Sequence, residues 1–416
     1  MSTFRVNAPA YSDPSQPVPP VRYDLSLIPH EQDGESFVYF HDSMMYAEPD
    51  MMLGAGIEPI LQTFDGRTSL KEIHKKYFKK SGLSLESLST FVSDLDRKRL
   101  LQSPYFKAYA HEVEVSFEHA KERIPTCNGS CYPNEGKELR EWLNVHFATS
   151  GNGISEQPKA LYAPHIDYRV GMETYVKAFS SVRHLRPKRV VILATSHYAG
   201  YYHRLYENRP FIVSGKAQTT PLGTLQPSTN VFSEMQKLDT SAYGISFNDR
   251  AHRIEHSAEL HVLMAQYVWG NDIEVVPILV GSFEESMLVP TGNQGRQIDK
   301  MAAFLRTLDD GNTFFLISGD QAHFGKKFGD RKPARAMVED VKSFDTTYLE
   351  MAVEANTKEM HALMSDSSDA YRICGYPPLM LFLKAFPEAQ GRQLHYAFWD
   401  EHERQSGVTY AAIGYR

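Results

Sequence analysis

Four histidines in the second half of the chain stand where imidazoles can be gathered: Ala163-Pro164-His165-Ile166-Asp167, Thr195-Ser196-His197, Glu255-His256-Ser257 and Ser318-Gly319-Asp320-Gln321-Ala322-His323. Imidazoles delivered by separate elements to one place build a metal centre, because neutral ring nitrogens bind iron, copper and zinc. Asp320 adds a carboxylate that serves such a centre as an oxygen donor or as an acid–base group. The chemistry is therefore metal-assisted, provided that the elements carrying these sites bring them together.

Those elements read as strands of a buried parallel sheet. Leu161-Tyr162-Ala163 precedes His165, the run 189–194 precedes His197, 273–280 precedes Gly281, and 313–317 precedes Asp320 and His323. Continuous apolar runs separated by helical patterns mark parallel strands covered on both faces. In an open α/β sheet the ligand crevice lies outside the carboxyl ends of the strands, so His165, His197, Asp320 and His323 are predicted to meet along one rim. His256 arrives differently. Leu263, Met264 and Tyr267 follow it at helical spacing and put it in the first turn of a helix. His261, five residues on, points roughly 140° round the axis and reads as a core or surface histidine. The alternating segments 394–399 and 408–415 predict an antiparallel pair closing the sheet. The fold class expected is α/β, a mainly parallel sheet flanked by helices and preceded by a small, largely helical domain.

That smaller domain is read at 21–112, after a flexible, extended, proline- and serine-rich lead-in at 1–20. Ser69 and Glu72 form a capping box opening a helix in which Leu70, Ile73 and Tyr77 share a face, and Gly82 stops it. Ser84 opens a second helix with Leu85, Leu88, Phe91, Val92 and Leu95 at core spacing. Residues 57–64 give a further helical pattern, Asp65-Gly66 a turn, and 37–40 and 100–105 short strands. A connecting region at 113–157 holds a helix near 138–147 and Gly- and Ser-containing loops, one of them at 149–153. The remainder, 158–416, is the domain of the histidines. No internal repeat recurs at a fixed period.

Composition narrows the function. A chain of 416 residues, 42% hydrophobic and 23% charged, has enough apolar material for more than one core. Its net charge of −7 offers no general attraction to nucleic acid or anionic lipid. The one basic helix, with Lys71, Lys75, Lys76, Lys79 and Lys80, is followed by a helix bearing Glu86, Asp94 and Asp96, which phosphates would repel; no nucleic-acid partner is expected. No stretch approaches membrane-spanning length and the first residues lack a secretion signal's apolar core, so the expectation is a soluble cytoplasmic protein with no membrane partner. Three cysteines make no disulfide framework. Cys127 and Cys131 flank an Asn128-Gly129 turn and read as structural or incidental, with a redox-labile pair as the alternative.

Pro164-His165, Thr195-Ser196-His197, Thr220 through Gly223, Glu255 through His261, Pro277 through Gly281, Ser318 through Gly325 and Cys374-Gly375 stand in the order seen in the MEMO family. The chain thus resembles, over about 158–416, the B component of the AmmeMemoRadiSam group, a family similar in fold to class III extradiol dioxygenases. The resemblance implies a divalent metal, iron first with copper or zinc as alternatives, held by His165 and His197. In animal members a cysteine two residues after the Ser-x-Asp aspartate completes the site; this sequence has Ala322 there, which offers no ligand. Donor chemistry leaves His256 or Asp320 as the third ligand, a third imidazole suiting zinc or copper as well as iron. His323 is then read, with Asp320, as acid or base beside the metal. The alternative reading of Asp320 has it orient a histidine from outside the ligand sphere, Asp167 reads as a loop cap, and Tyr168 and Tyr198 as oxyanion donors or rim aromatics.

The function this implies is a non-haem metal oxidoreductase or oxygenase. Two alternatives stand beside it: a non-catalytic metal- or ligand-binding scaffold, suggested by Ala322, and a zinc-dependent hydrolase. The domain at 21–112, with the segment 61–73 carrying the likeness, resembles the small winged-helix fold of the PqqD-like peptide-binding domains, which implies a winged-helix-like domain and a peptide or protein partner gripped by strand addition.

Overall fold

The computed structural model describes residues 7–148 and 158–416; the first six residues of the lead-in and the loop expected at 149–153 lie outside them. The chain divides into two compact units, Met1–His119 and Ala120–Arg416. No helix among the described residues is long and apolar enough to cross a membrane.

In the smaller unit, strands Leu25–Gln32 and Glu35–Asp42 form an antiparallel hairpin joined by Met52–Gly54. The capping box is present: Glu72 N donates to Ser69 Oγ while the Glu72 carboxylate accepts from Ser69 N. Leu70 and Ile73 are buried, but Tyr77 is exposed, because the helix widens to π geometry over His74–Phe78 and turns it off the shared face. The helix Leu85–Arg97, capped by Ser84, buries Leu88, Val92 and Leu95. The strand expected at 100–105 is not formed. Only Leu101 makes a bridge, to Val21, and Pro104 opens a helix, Pro104–His119, whose Phe106 N–H is capped by Ser103 Oγ. Proline fits the first helical turn, where its missing N–H costs nothing, and the serine before it was the signal. The described part of the lead-in is extended yet tied down: Val18 is fully buried and exchanges backbone bonds with Thr68 and Gly66.

The larger unit is built on four parallel strands, β1 (Ala160–Ala163), β2 (Arg189–Thr195), β3 (Glu274–Val280) and β4 (Thr313–Ser318). They pair in the order β1-β4-β2-β3. Ser318 is level with both Ala163 and Ala194, so the carboxyl ends of the three histidine-bearing strands finish together. The expected antiparallel pair is β5 (Gly391–Glu401) and β6 (Ser406–Tyr415), with β6 extending the sheet along β1.

Both faces of this sheet are covered. Val190, Ile192 and Ala194 share a core with α1 (Tyr168–Ser180) and α2 (His256–Trp269). Val191 and Leu193, one residue out of phase, pack instead with α3 (Tyr376–Ala385). That double burial is why the strands lack polar alternation. The stretch after the smaller unit takes part in the same core: Glu122–Arg123 pairs with Ala217–Thr220, and the helix Gly136–Phe147 buries Leu139, Leu143 and Phe147 against the α1 and α2 side.

Candidate metal centre

Because β1, β4 and β2 are neighbours and parallel, the segments leaving them converge. His165 follows β1, Asp320 follows β4 and His197 follows β2, while His256 is the first residue of α2. Donor atoms of His165, His197 and His256 all lie within 4.8 Å of one another. The ring centroids are 4.9 Å apart for His165 and His197, 5.3 Å for His165 and His256, and 4.7 Å for His197 and His256.

Hydrogen bonds assign which nitrogen each ring presents. Ser318 Oγ donates its single proton to the Ser257 carbonyl at 2.8 Å, so it accepts from His165 Nδ1 at 3.2 Å and leaves His165 Nε2 unprotonated. Glu255 does the same for His197: Oε1 is 2.8 Å from Nδ1, and Oε2 accepts the His197 backbone N–H at 2.8 Å. Fixing one ring nitrogen so that the other faces inward is how proteins orient metal-binding histidines. Glu255 also caps α2 through Ser257 N, which puts His256 at the mouth of the site.

Electrostatics follow from burial. Burial pulls His165 well below the ordinary imidazole range, aided by His197 and His256, and takes His256 down to about 4. Burial opposes charge on Glu255, but His197 outweighs it and holds the carboxyl at about 2. Asp320 shows the opposite balance: burial pushes it up to about 7 against the backbone N–H groups of His165 and Ile166, which donate to Oδ1 at 3.0 and 3.2 Å. Its other oxygen, Oδ2, is 3.7 Å from His165 Nε2. Asp320 therefore both pins the His165 loop and faces the site.

His323 lies outside the ligand groups, although its charge is felt at His165. Its Nδ1 donates to the carbonyls of Gln321 and Arg372 at 3.1 and 3.0 Å, leaving Nε2 bare, and burial takes it down to about 4. Ala322 is buried in an apolar cluster with Phe324, Ala334 and Val341. His261 is in the core, bonded to the Pro164 carbonyl. Tyr168 is not a rim residue: it is buried with its hydroxyl on the Leu260 carbonyl. Asp167 caps α1 through Arg169 N.

The structure adds residues to which the motif reading gave no role. Glu255 and Ser318 are the orienting groups just described. Cys374, noted only as part of a motif, brings Sγ to 3.2 Å from His165 Nε2, and His165, Asp320 and Cys374 form a second compact donor group. The two glycines beside these residues make that possible. A Cβ on Gly319 would lie 2.2 Å from Gly375 Cα, and one on Gly375 would lie 2.2 Å from Tyr162 Oη. Gly375→Ala is accordingly expected to force the two loops apart, costing about 1–3 kcal/mol by overpacking. Thermal melting checks this; an unchanged Tm would contradict the close approach.

A family model described as Memo-like protein matches residues 123–414, starting upstream of the expected 158 and taking in Arg123 and the cysteine loop. A MEMO1 family protein of Thermus thermophilus is 25% identical over 333 residues, 79% of this chain and 93% of its own. The memo-1 homolog of Caenorhabditis elegans is 26% identical over 262 residues, 62% and 69% of the two chains. A MEMO1 family protein of Nitrosopumilus maritimus is 25% identical over 301 residues, 70% and 97%. With seven motifs in order, their histidines converging, and a family match over most of its length, the chain belongs to the Memo-like protein family.

Proposed function

We propose that the chain is a non-haem metal-dependent oxidoreductase, dioxygenase-like in its chemistry, with iron as the metal. The observation that carries this is the convergence of His165, His197 and His256, with His165 Nε2 bared by Ser318 and His197 Nδ1 held by Glu255. Clustered imidazoles with a neighbouring carboxylate suit a divalent metal: His165, His197 and His256 would hold it, with Asp320 alongside. When bound, such a metal supplies a redox-active Lewis acid.

The chain's own groups supply the rest. His165 forms a floor with 2% of its side chain exposed, while His197 and His256 keep 29% and 32%, so substrate enters over those two rings. His323, neutral near pH 7 with Nδ1 committed to backbone carbonyls, would accept a substrate proton through Nε2. The smaller unit would bind a peptide or protein substrate. Its strand Leu25–Gln32 is at the sheet edge, paired with Glu35–Asp42 on one side, which supports strand addition.

Anaerobic loading of the purified chain with Fe(II), Cu(II) or Zn(II), followed by metal analysis and oxygen-uptake measurement, tests this reading. Stoichiometric iron with oxygen uptake that the zinc-loaded chain lacks is the expected result. Hydrolytic turnover with zinc and no need for oxygen would favour the hydrolase, and bound metal with neither activity would favour a scaffold.

A further inference from the structure

We propose that Cys374 is the thiolate donor of this metal centre, supplying from the loop before α3 the sulfur that Ala322 cannot. The proposal rests on the metal-centre reading above and deepens it.

Three observations converge. First, the thiol meets the correct atom. Ser318 commits His165 Nδ1 to a hydrogen bond, so the ring has one free lone pair, on Nε2, and Cys374 Sγ lies 3.2 Å from it. Nε2 is also 3.7 Å from Asp320 Oδ2, so nitrogen, oxygen and sulfur donors surround one small volume.

Second, the sulfur is fixed in position. The Asp320 backbone N–H points at Sγ at 3.3 Å, and the Asp320 carbonyl lies 3.7 Å from it. The loop itself is fastened by Thr195 Oγ1 on the Cys374 carbonyl at 2.8 Å and by Gly375 N on the Asp320 carbonyl at 2.9 Å. Third, the approach of Gly319 to Gly375 leaves no room for a side chain on either. Larger residues there would hold the sulfur and the carboxylate away from His165. The bare pair brings two sequence-distant loops to the same imidazole.

The alternative role, a buried thiol donating a weak hydrogen bond to an imidazole, accounts for one contact. It does not account for Asp320 Oδ2, the oxygen that the His165 and Ile166 backbone bonds leave unused, standing beside the same nitrogen. Binding by Cys374 involves no change of oxidation state: the S–H bond breaks, a metal–sulfur bond forms, and the proton leaves to solvent.

Cobalt(II) reads the bond directly, because sulfur-to-cobalt charge transfer absorbs in the near ultraviolet while nitrogen and oxygen ligands give only the weaker visible bands. Titrated anaerobically with Co(II), the full chain is expected to show that charge-transfer band. Cys374→Ser is expected to lose it while keeping visible cobalt bands from the histidines. The Cys127→Ser, Cys131→Ser double variant leaves Cys374 as the only cysteine of three and is expected to retain the band, which assigns it without disturbing the site. Visible bands in wild type without charge transfer, or charge transfer that survives Cys374→Ser, or its loss from the double variant, would overturn the proposal while leaving the metal centre intact. Failure of wild type to bind cobalt at all would instead overturn the metal-centre reading, and this proposal with it.

Discussion

His165→Ala is expected to abolish stoichiometric metal binding, with a larger effect than any other single replacement at the rim. Among the described residues, His165 is the one shared by both compact donor groups, that of His197 and His256 and that of Asp320 and Cys374. The variant should nevertheless fold, because the 165 loop is held by its own backbone N–H on Asp320 Oδ1, a bond that alanine keeps. Ser318→Ala provides the scale: it removes only the group that orients the ring, for which a loss of roughly 10–100-fold in affinity is usual. Loss of the ligand should exceed that. Metal analysis after anaerobic loading and gel filtration, run beside circular dichroism, makes the comparison. Full metal content in folded His165→Ala would rule out the centre described here.

How far the site could be read from sequence follows from what fixes each residue in space. His165, His197 and Asp320 sit immediately after strands whose unbroken apolar runs announce burial on both faces, and parallel pairing leaves only one side on which they can emerge. His256 was legible from helical periodicity, because a first-turn position follows from where the pattern begins. Cys374 was not. It is carried by an irregular loop 209 residues from His165, and neither period nor spacing encodes that meeting. Its only local trace is the glycine beside it, which becomes informative once Gly319 is known to face it. Glu255 reads locally as a helix cap, and its grip on His197 is a long-range contact. The strand expected at 100–105 failed for a different reason: short apolar runs suit either state, and Ser103-Pro104 decides for the helix.

The second large effect is on stability and comes from Glu259, which the motif reading quoted without assigning a role. It is buried one turn into α2 and collects donors from a single upstream segment: the Arg123 guanidinium, Thr126 N at 2.8 Å, Thr126 Oγ1 at 3.1 Å, Cys127 N at 2.9 Å and the Tyr132 hydroxyl. Arg123 in turn donates to the carbonyls of His252 and Glu255 at 3.1 and 3.0 Å. The pair thus fastens residues 123–132 onto the start of α2, where Glu255 and His256 stand. Removing one partner of a buried ion pair leaves the other charged and unpaired, so Glu259→Ala should cost about 3–5 kcal/mol. At about 2–4 °C per kcal/mol for a large domain, the expected fall in Tm is roughly 10 °C. Burial works against the ionised carboxyl, but Arg123 and the backbone donors hold its pKa below the ordinary value. The contribution is therefore present above the ordinary carboxyl value and fades as pH falls through the lowered one. Melting curves should accordingly show wild type and Glu259→Ala far apart at pH 7 and converging in acid. An Arg123→Met, Glu259→Leu double variant, which removes both charges together, should recover much of the loss. If Glu259→Ala melts with wild type at pH 7, the pair is not what holds this segment. If it melts lower yet keeps full metal affinity, α2 places Glu255 and His256 without it.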